Sequence, residues 1–174
     1  GEITSAFVRP RIDPQAAILF PPPSTIAVTA ANLLADGELL RQLAASLKRE
    51  ASAFLFASVA IPLGIAMGWR QSVHAQLYPV FEVLRPIPPL AWIPLSILWL
   101  GLGDVQNQFI IFLGMVFPIL LNTITGVRQV DRNLIRAART LGAGEAALLR
   151  RVVIMAALPQ ILVGIRVGLG VCWM

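Results

Sequence analysis

Val105 to Val127 reads VQNQFIIFLGMVFPILLNTITGV, 23 consecutive residues without a charge. As an α-helix at about 1.5 Å per residue it would extend roughly 34 Å, enough to cross the hydrocarbon core of a bilayer. The residues on either side supply its direction. Overlapping its start, Gly101 to Gln108 is a short turn with Asp104 as its single charge and no arginine. After it, Arg128, Arg132, Arg136, Arg139, Arg150 and Arg151 face only Asp131 and Glu145, a net +4 out of +5 for the whole chain. Cytoplasmic loops collect arginine and lysine, so the turn is expected outside and the arginine-rich interval inside.

Two further apolar runs flank this centre. Ala51 to Trp69 offers 19 uncharged residues, and Val152 to Met174 is broken only by Arg166. With 57% hydrophobic and 13% charged residues, and a mean hydropathy of +0.76, the composition is far from the ~25% charge of soluble domains. The fold class is therefore all-α, a polytopic helical membrane protein. A sequence pI near 11.0 could suggest nucleic acid. The basic charge is 13 arginines and one lysine, mostly in loops beside apolar blocks, which membrane sidedness explains without a nucleic-acid partner.

The chain divides into residues 1–50, an external loop and surface helix leading into the first span, and residues 51–174, the membrane core with a cytoplasmic loop at 128–151. Pro21 to Pro23 predicts an extended segment, Ser24 an N-cap and Thr25 to Ala35 a short helix ending at Asp36-Gly37. Pro62 is expected to kink the first span. Gly64 and Gly68 form a pair four residues apart that lets another helix approach closely. Arg70 to Arg85 is a short amphipathic stretch in which His74 is expected at the interface. Pro86, Pro88, Pro89 and Pro94 then punctuate an uncharged run to Gly103, and broken backbone of that kind at membrane depth lines cavities. The absence of a leader pattern at Gly1 and the apolar run still open at Met174 lead us to expect a fragment of a longer protein, lacking a span at each end.

Catalytic chemistry has little to work with here. One cysteine, Cys172, and one histidine, His74, leave no set of metal ligands and no nucleophile-base pair. Lys48 is the only lysine and stands in no phosphate-binding loop, so no nucleotide cofactor is expected on this chain and ATP-driven work would need another one. Candidate functional residues are of another kind. Arg166 must find a partner, water or an anion within its span, which makes it a candidate for a pathway or gate. Asn122 is polar near the inner end of the central span, beside Thr123 and Thr125, where hydrogen bonding between helices is the first expectation. Trp92 and Ser96 lie in the proline-punctuated run as possible pathway lining.

The arginine-rich interval carries a helix, break, helix signature. Asp131 can cap a first turn, Leu134, Ile135, Ala138 and Leu141 recur at helical spacing, Gly142 and Gly144 interrupt, and Glu145 opens a second helix. A short amphipathic helix followed by a turn suits a partner's groove.

Within that interval Ala137-Ala138-Arg139-Thr140-Leu141-Gly142, with Leu158-Pro159 downstream, resembles the cytoplasmic "EAA" loop of the permease subunits of ABC importers. Leu84 to Leu95, Trp99 to Asp104, Phe117 to Thr123 and Gly164 to Gly170 are similar to the nitrate, sulfonate, taurine and bicarbonate permeases of that superfamily. The resemblance runs from about Phe20 to the end. It implies a type I importer permease in the bacterial inner membrane, paired with a second permease subunit as a homodimer. It also implies two cytoplasmic ATPase subunits docked at Ala137, Ala138, Arg139, Leu141 and Gly142, and an external solute-binding protein. Arg136 stands where the family's loop commonly opens with glutamate, and Met155 where proline is frequent. Two other classes compete on the residues alone: an ion-coupled secondary transporter, and a membrane-anchored assembly or sensor protein whose basic loop binds anionic membrane lipid.

Overall fold

The computed structural model describes residues 23–172, helical throughout its regular structure, and the chain divides into two units, the first ending at Lys48 and the second beginning at Arg49. The expectations for Gly1 to Phe20, Pro21, Pro22 and Met174 lie outside the described residues. In the first unit α1 spans Pro23–Ala35 and α2, Glu38–Ala57, begins after a turn at Asp36-Gly37. Proline suits a first helical position because its missing N–H would have no helical partner there. Pro23 therefore opens α1, and Ser24 lies inside the first turn rather than at the N-cap. Gly37 makes the turn with φ +69°, and Glu38 accepts from Arg41 Nη2 at 2.9 Å and from Gln42 Nε2 at 3.0 Å.

The second unit takes in the rest of α2, then α3 (Ala60–Trp69), α4 (Gln71–Leu84), a 3-10 turn (Pro89–Trp92) and α5 (Ile93–Leu100). After these come α6 (Asp104–Arg128), α7 (Arg132–Thr140), α8 (Glu145–Leu148), a π-helical turn (Leu149–Val153) and α9 (Ile154–Cys172). The kink expected at Pro62 falls four residues earlier. Proline has no N–H to give Ser58 O, so Ile61 N takes that carbonyl at 3.0 Å and Val59 N reaches Phe56 O at 3.2 Å, tightening the helix at Ser58-Val59.

Helix α6 is the centre of this unit, with α3 on one side and α9 on the other. Small residues set the distance. A Cβ on Gly64 would stand 2.8 Å from Thr123 Cβ, and one on Gly164 2.8 Å from Asn122 Cβ, so both helices seat against α6 only because these positions are glycine. Met67, Met115, Ile119 and Leu120 fill the layer between, fully buried. A second layer of Val127, Val153, Ala157 and Ile161 closes the arginine-rich end.

Contacts at the helix ends define two levels. Arg49 Nε donates to Asp104 Oδ1 at 2.7 Å at one end of α6, and Arg128 Nη2 donates to Gln71 Oε1 at 2.7 Å at the other. Within this unit the stretch from Arg49 to Trp69 and α6 therefore run parallel. In α9, Gln160 lies by Gly126 and Gly168 by Met115, so α9 is antiparallel to α6. Glu38–Trp69, Asp104–Arg128 and Glu145–Cys172 are long and apolar enough to cross a membrane. The α4 and α5 segments, bent 80° about Arg85 to Pro88, pass the same test together. They return the chain from the Gln71 level to the Asp104 level. The outward surface is apolar, with Leu55, Phe56, Leu98, Leu162 and Val163 exposed, as a lipid or subunit boundary requires.

Candidate functional site

Two sites emerge: a helix-turn-helix at the arginine-rich end and a polar cleft running into the bundle. The first is closed by its own backbone. Asp131 Oδ1 accepts from Asn133 N at 2.8 Å, capping α7. At the far end Gly142 takes φ +82°, its N–H reaches Arg139 O at 3.0 Å and Ala143 N reaches Ala138 O at 3.0 Å. That pair of bonds around a left-handed glycine is the Schellman stop. Arg139 Nη2 bridges the turn to Glu145 Oε1 at 2.9 Å, an exposed pair that orients more than it stabilises.

The faces of α7 are divided. Ile135 packs with Val130 and Leu149 on the layer holding Val153, while Leu134 and Leu141 are 52% and 87% exposed. Ala137 is exposed and Ala138 half-buried. Arg132, Arg136, Arg150 and Arg151 are exposed and make no ion pair among the described residues. The result is a fixed turn presenting Leu141 and Ala137 outward within a positive field. The π-turn at Leu149–Val153 links it to α9, turning Arg150 and Arg151 out and Val153 in. A π insertion leaves no mark in apolar periodicity, and the sequence gives no sign of it.

The second site is a cleft of about 760 Å³ between α4, α6 and α9. Its walls include His74, Tyr78 and Arg85 from α4 and the residue after it, Phe117, Asn122, Thr125 and Arg128 from α6, and Gln160 and Val167 from α9. His74 stacks on Tyr78 with ring centroids 4.5 Å apart, and Phe81 meets Phe117 edge-on at 6.4 Å. Asn122 is held twice: Nδ2 donates to Pro118 O at 2.8 Å and Oδ1 accepts from Gln160 Nε2 at 2.9 Å.

The four pathway candidates separate here. Asn122 lies on the cleft wall and makes the expected bond between helices. Arg166 is exposed on α9, on the side away from Gly164 and Gly168. Ser96 is fully buried, its hydroxyl donating to Ile93 O at 2.8 Å and accepting from Gln106 Nε2 at 3.3 Å, so it joins α5 to α6. Trp92 is half-buried at the end of the 3-10 turn. Arg85, Arg128 and Gln160 also wall the cleft, though in the sequence Arg85 only ends an amphipathic stretch and Arg128 only opens the arginine-rich interval. Gln160 had a usable signal, the one amide in the apolar run after Val152.

Residues 60–174 match the family described as the binding-protein-dependent transport system inner membrane component. A Methanocaldococcus jannaschii protein named as an ABC transporter permease is 53% identical over 144 residues, 82% of this chain and 54% of that protein. The taurine transport system permease of Escherichia coli is 40% identical over 163 residues, 90% of this chain and 59% of its own length. A bicarbonate transport system permease of Synechococcus elongatus is 39% identical over 140 residues, 80% of this chain and 50% of its own. The chain thus spans a little over half the length of the curated relatives it matches.

Proposed function

The chain belongs to the binding-protein-dependent inner-membrane permeases of ABC transporters, and from that premise we propose that it forms part of the pathway of an ATP-driven importer for a small anion. Nitrate, a sulfonate such as taurine, and bicarbonate are the solutes in view. Two similar proteins are named for taurine and bicarbonate transport, and among the described residues the cleft is lined by arginine and by no acid. ATP is hydrolysed by two separate cytoplasmic subunits, and an external solute-binding protein delivers the anion.

One observation carries the coupling: the Schellman-closed turn after α7, with Leu141 and Ala137 outward, at the arginine-rich end. Seated in an ATPase groove, this turn moves when the ATPase pair closes on nucleotide. Glu145–Cys172 is helical from the turn to the far end of α9, so displacement at the turn reaches the helix that walls the cleft. Arg166 supports a second permease copy. A permanent charge partway along an exposed helix face is expensive against lipid, and a subunit boundary or water-filled gate relieves it.

The test is Gly142→Val. A β-branched residue at φ +82° is strained, and no neighbour within 4 Å compensates. Membrane insertion should be unchanged, while ATPase co-purification and uptake both fall by at least about tenfold, the effect of losing ~1.4 kcal/mol at the contact. Uptake and co-purification at the level of the unaltered protein would remove the turn as the docking element.

A further inference from the structure

Arg85 occupies a place for which a loop arginine has no use. Phe117 lies about midway between Asp104 and Arg128, the two ends of α6, and Val167 lies between Gly164, which meets Pro118, and Gly168, which meets Met115. Arg85 walls the same cleft as Phe117 and Val167, one helical turn beyond the Phe81 ring that touches Phe117. Arg85 is exposed on the wall of this cleft, and its guanidinium is within a side chain's reach of mid-depth in the bundle. It has no ion pair or hydrogen bond among the described residues. A charge at that depth persists only with water or a counter-ion.

The rest of the cleft suits an anion in that place. Among the described residues no aspartate or glutamate lines it. Arg128 stands at its arginine-rich end, fixed by Gln71 at 2.7 Å with further N–H groups to spare. Asn122 and Gln160 hold each other at 2.9 Å, and Thr125 is exposed beside them. Guanidinium forks recognise planar or trigonal oxyanions through paired N–H donors. At about 760 Å³ the cleft has room for such an ion with part of its hydration shell.

We propose that the cleft between α4, α6 and α9 is an oxyanion site in which Arg85 holds a sulfonate, bicarbonate or nitrate group at mid-depth, with Arg128 as the receiving charge at the cytoplasmic mouth. That the ion is transported solute rests on the importer reading; that the cleft binds an anion does not. An anionic lipid headgroup would satisfy the same donors, and the test separates the two.

The assembled permease, with Cys172→Ala and a single probe thiol from Thr125→Cys, is placed in phosphatidylcholine proteoliposomes without ATP. The thiol is modified by sulfonatoethyl and by trimethylammonioethyl methanethiosulfonate. The ratio of anionic to cationic rates should fall about tenfold with Arg85→Gln, the scale of local concentration by a positive cleft, and stay within about twofold with Arg85→Lys. Ethanesulfonate, nitrate or bicarbonate should slow the anionic reagent in the unaltered cleft. Should Arg85→Gln not assemble, Arg128→Gln is expected to lower the ratio in the same direction. A ratio indifferent to both arginines overturns the site. Protection by phosphatidylglycerol in the bilayer but by none of the soluble anions overturns the solute and leaves a lipid headgroup. A ratio that follows Arg85 without any ATP-driven uptake would keep the site and remove the importer reading, and uptake with an indifferent ratio would do the reverse.

Discussion

At the scale of single residues, hydrogen atoms decide how closely the helices meet. Adding one carbon at Gly64 puts it 2.8 Å from Thr123 Cβ and 3.1 Å from Leu120 O, and the latter is backbone that cannot swing away. Gly64→Ala should therefore destabilise the permease in detergent by roughly 1–3 kcal/mol, seen as a lowered thermal midpoint. Combining it with Thr123→Gly should give less loss than the two single changes added, a coupling of about 0.5–3 kcal/mol. Simple additivity would mean that α3 does not rest on α6 at this point. The spacing of Gly64 and Gly68 announced this contact because small residues four apart have few other uses in a span. Arg85 gave no such warning. In sequence it ends an amphipathic stretch and precedes a proline, the pattern of a residue leaving the membrane, whereas in the structure it stands exposed on the cleft wall just before the 80° bend.

At the scale of elements, α7 was the most legible and its supports can be measured. Asp131, the glycine stop and the outward leucine were all readable because caps are local chemistry, written in residue type and spacing. Asp131→Ala removes the 2.8 Å bond to Asn133 N and leaves a helical donor without its partner. The cost should be about 1 kcal/mol, and amide exchange across Arg132–Thr140 should quicken about fivefold while α6 is unaffected. Exchange unchanged in α7 would show that packing of Ile135, rather than the cap, fixes the element. Breaks inside the long helices were less legible for a physical reason. Pro62 removes a donor, yet the distortion lands where the orphaned carbonyl is, at Ser58, so the proline marks the cause and not the place. The π-turn at Leu149–Val153 depends on how Val153 and Leu148 reach the core from one helix, which is information about neighbours that periodicity lacks.

At the scale of the molecule, the levels set by Arg49–Asp104 and Arg128–Gln71 fix what the broken segment does. If α4 and α5 formed a re-entrant loop, Gln71 and Asp104 would lie on one side of the membrane; their contacts put them at opposite ends of α6. The chain then crosses between residues 71 and 104, and the arginine content predicts that the Arg128 end faces the cytoplasm. Three positions read this out in a Cys172→Ala background. Ser72 is exposed, Leu102 is 85% exposed and Leu141 is 87% exposed. Ser72→Cys and Leu141→Cys should react with an impermeant maleimide only in inside-out vesicles, and Leu102→Cys only in right-side-out ones. Labelling of positions 72 and 102 from one side would make the bent pair re-entrant and move Arg85 out of mid-depth. The oxyanion site would go with it, because a guanidinium near the membrane surface needs no counter-ion beyond bulk water. The topology and the chemistry of the cleft therefore stand on the same two hydrogen bonds.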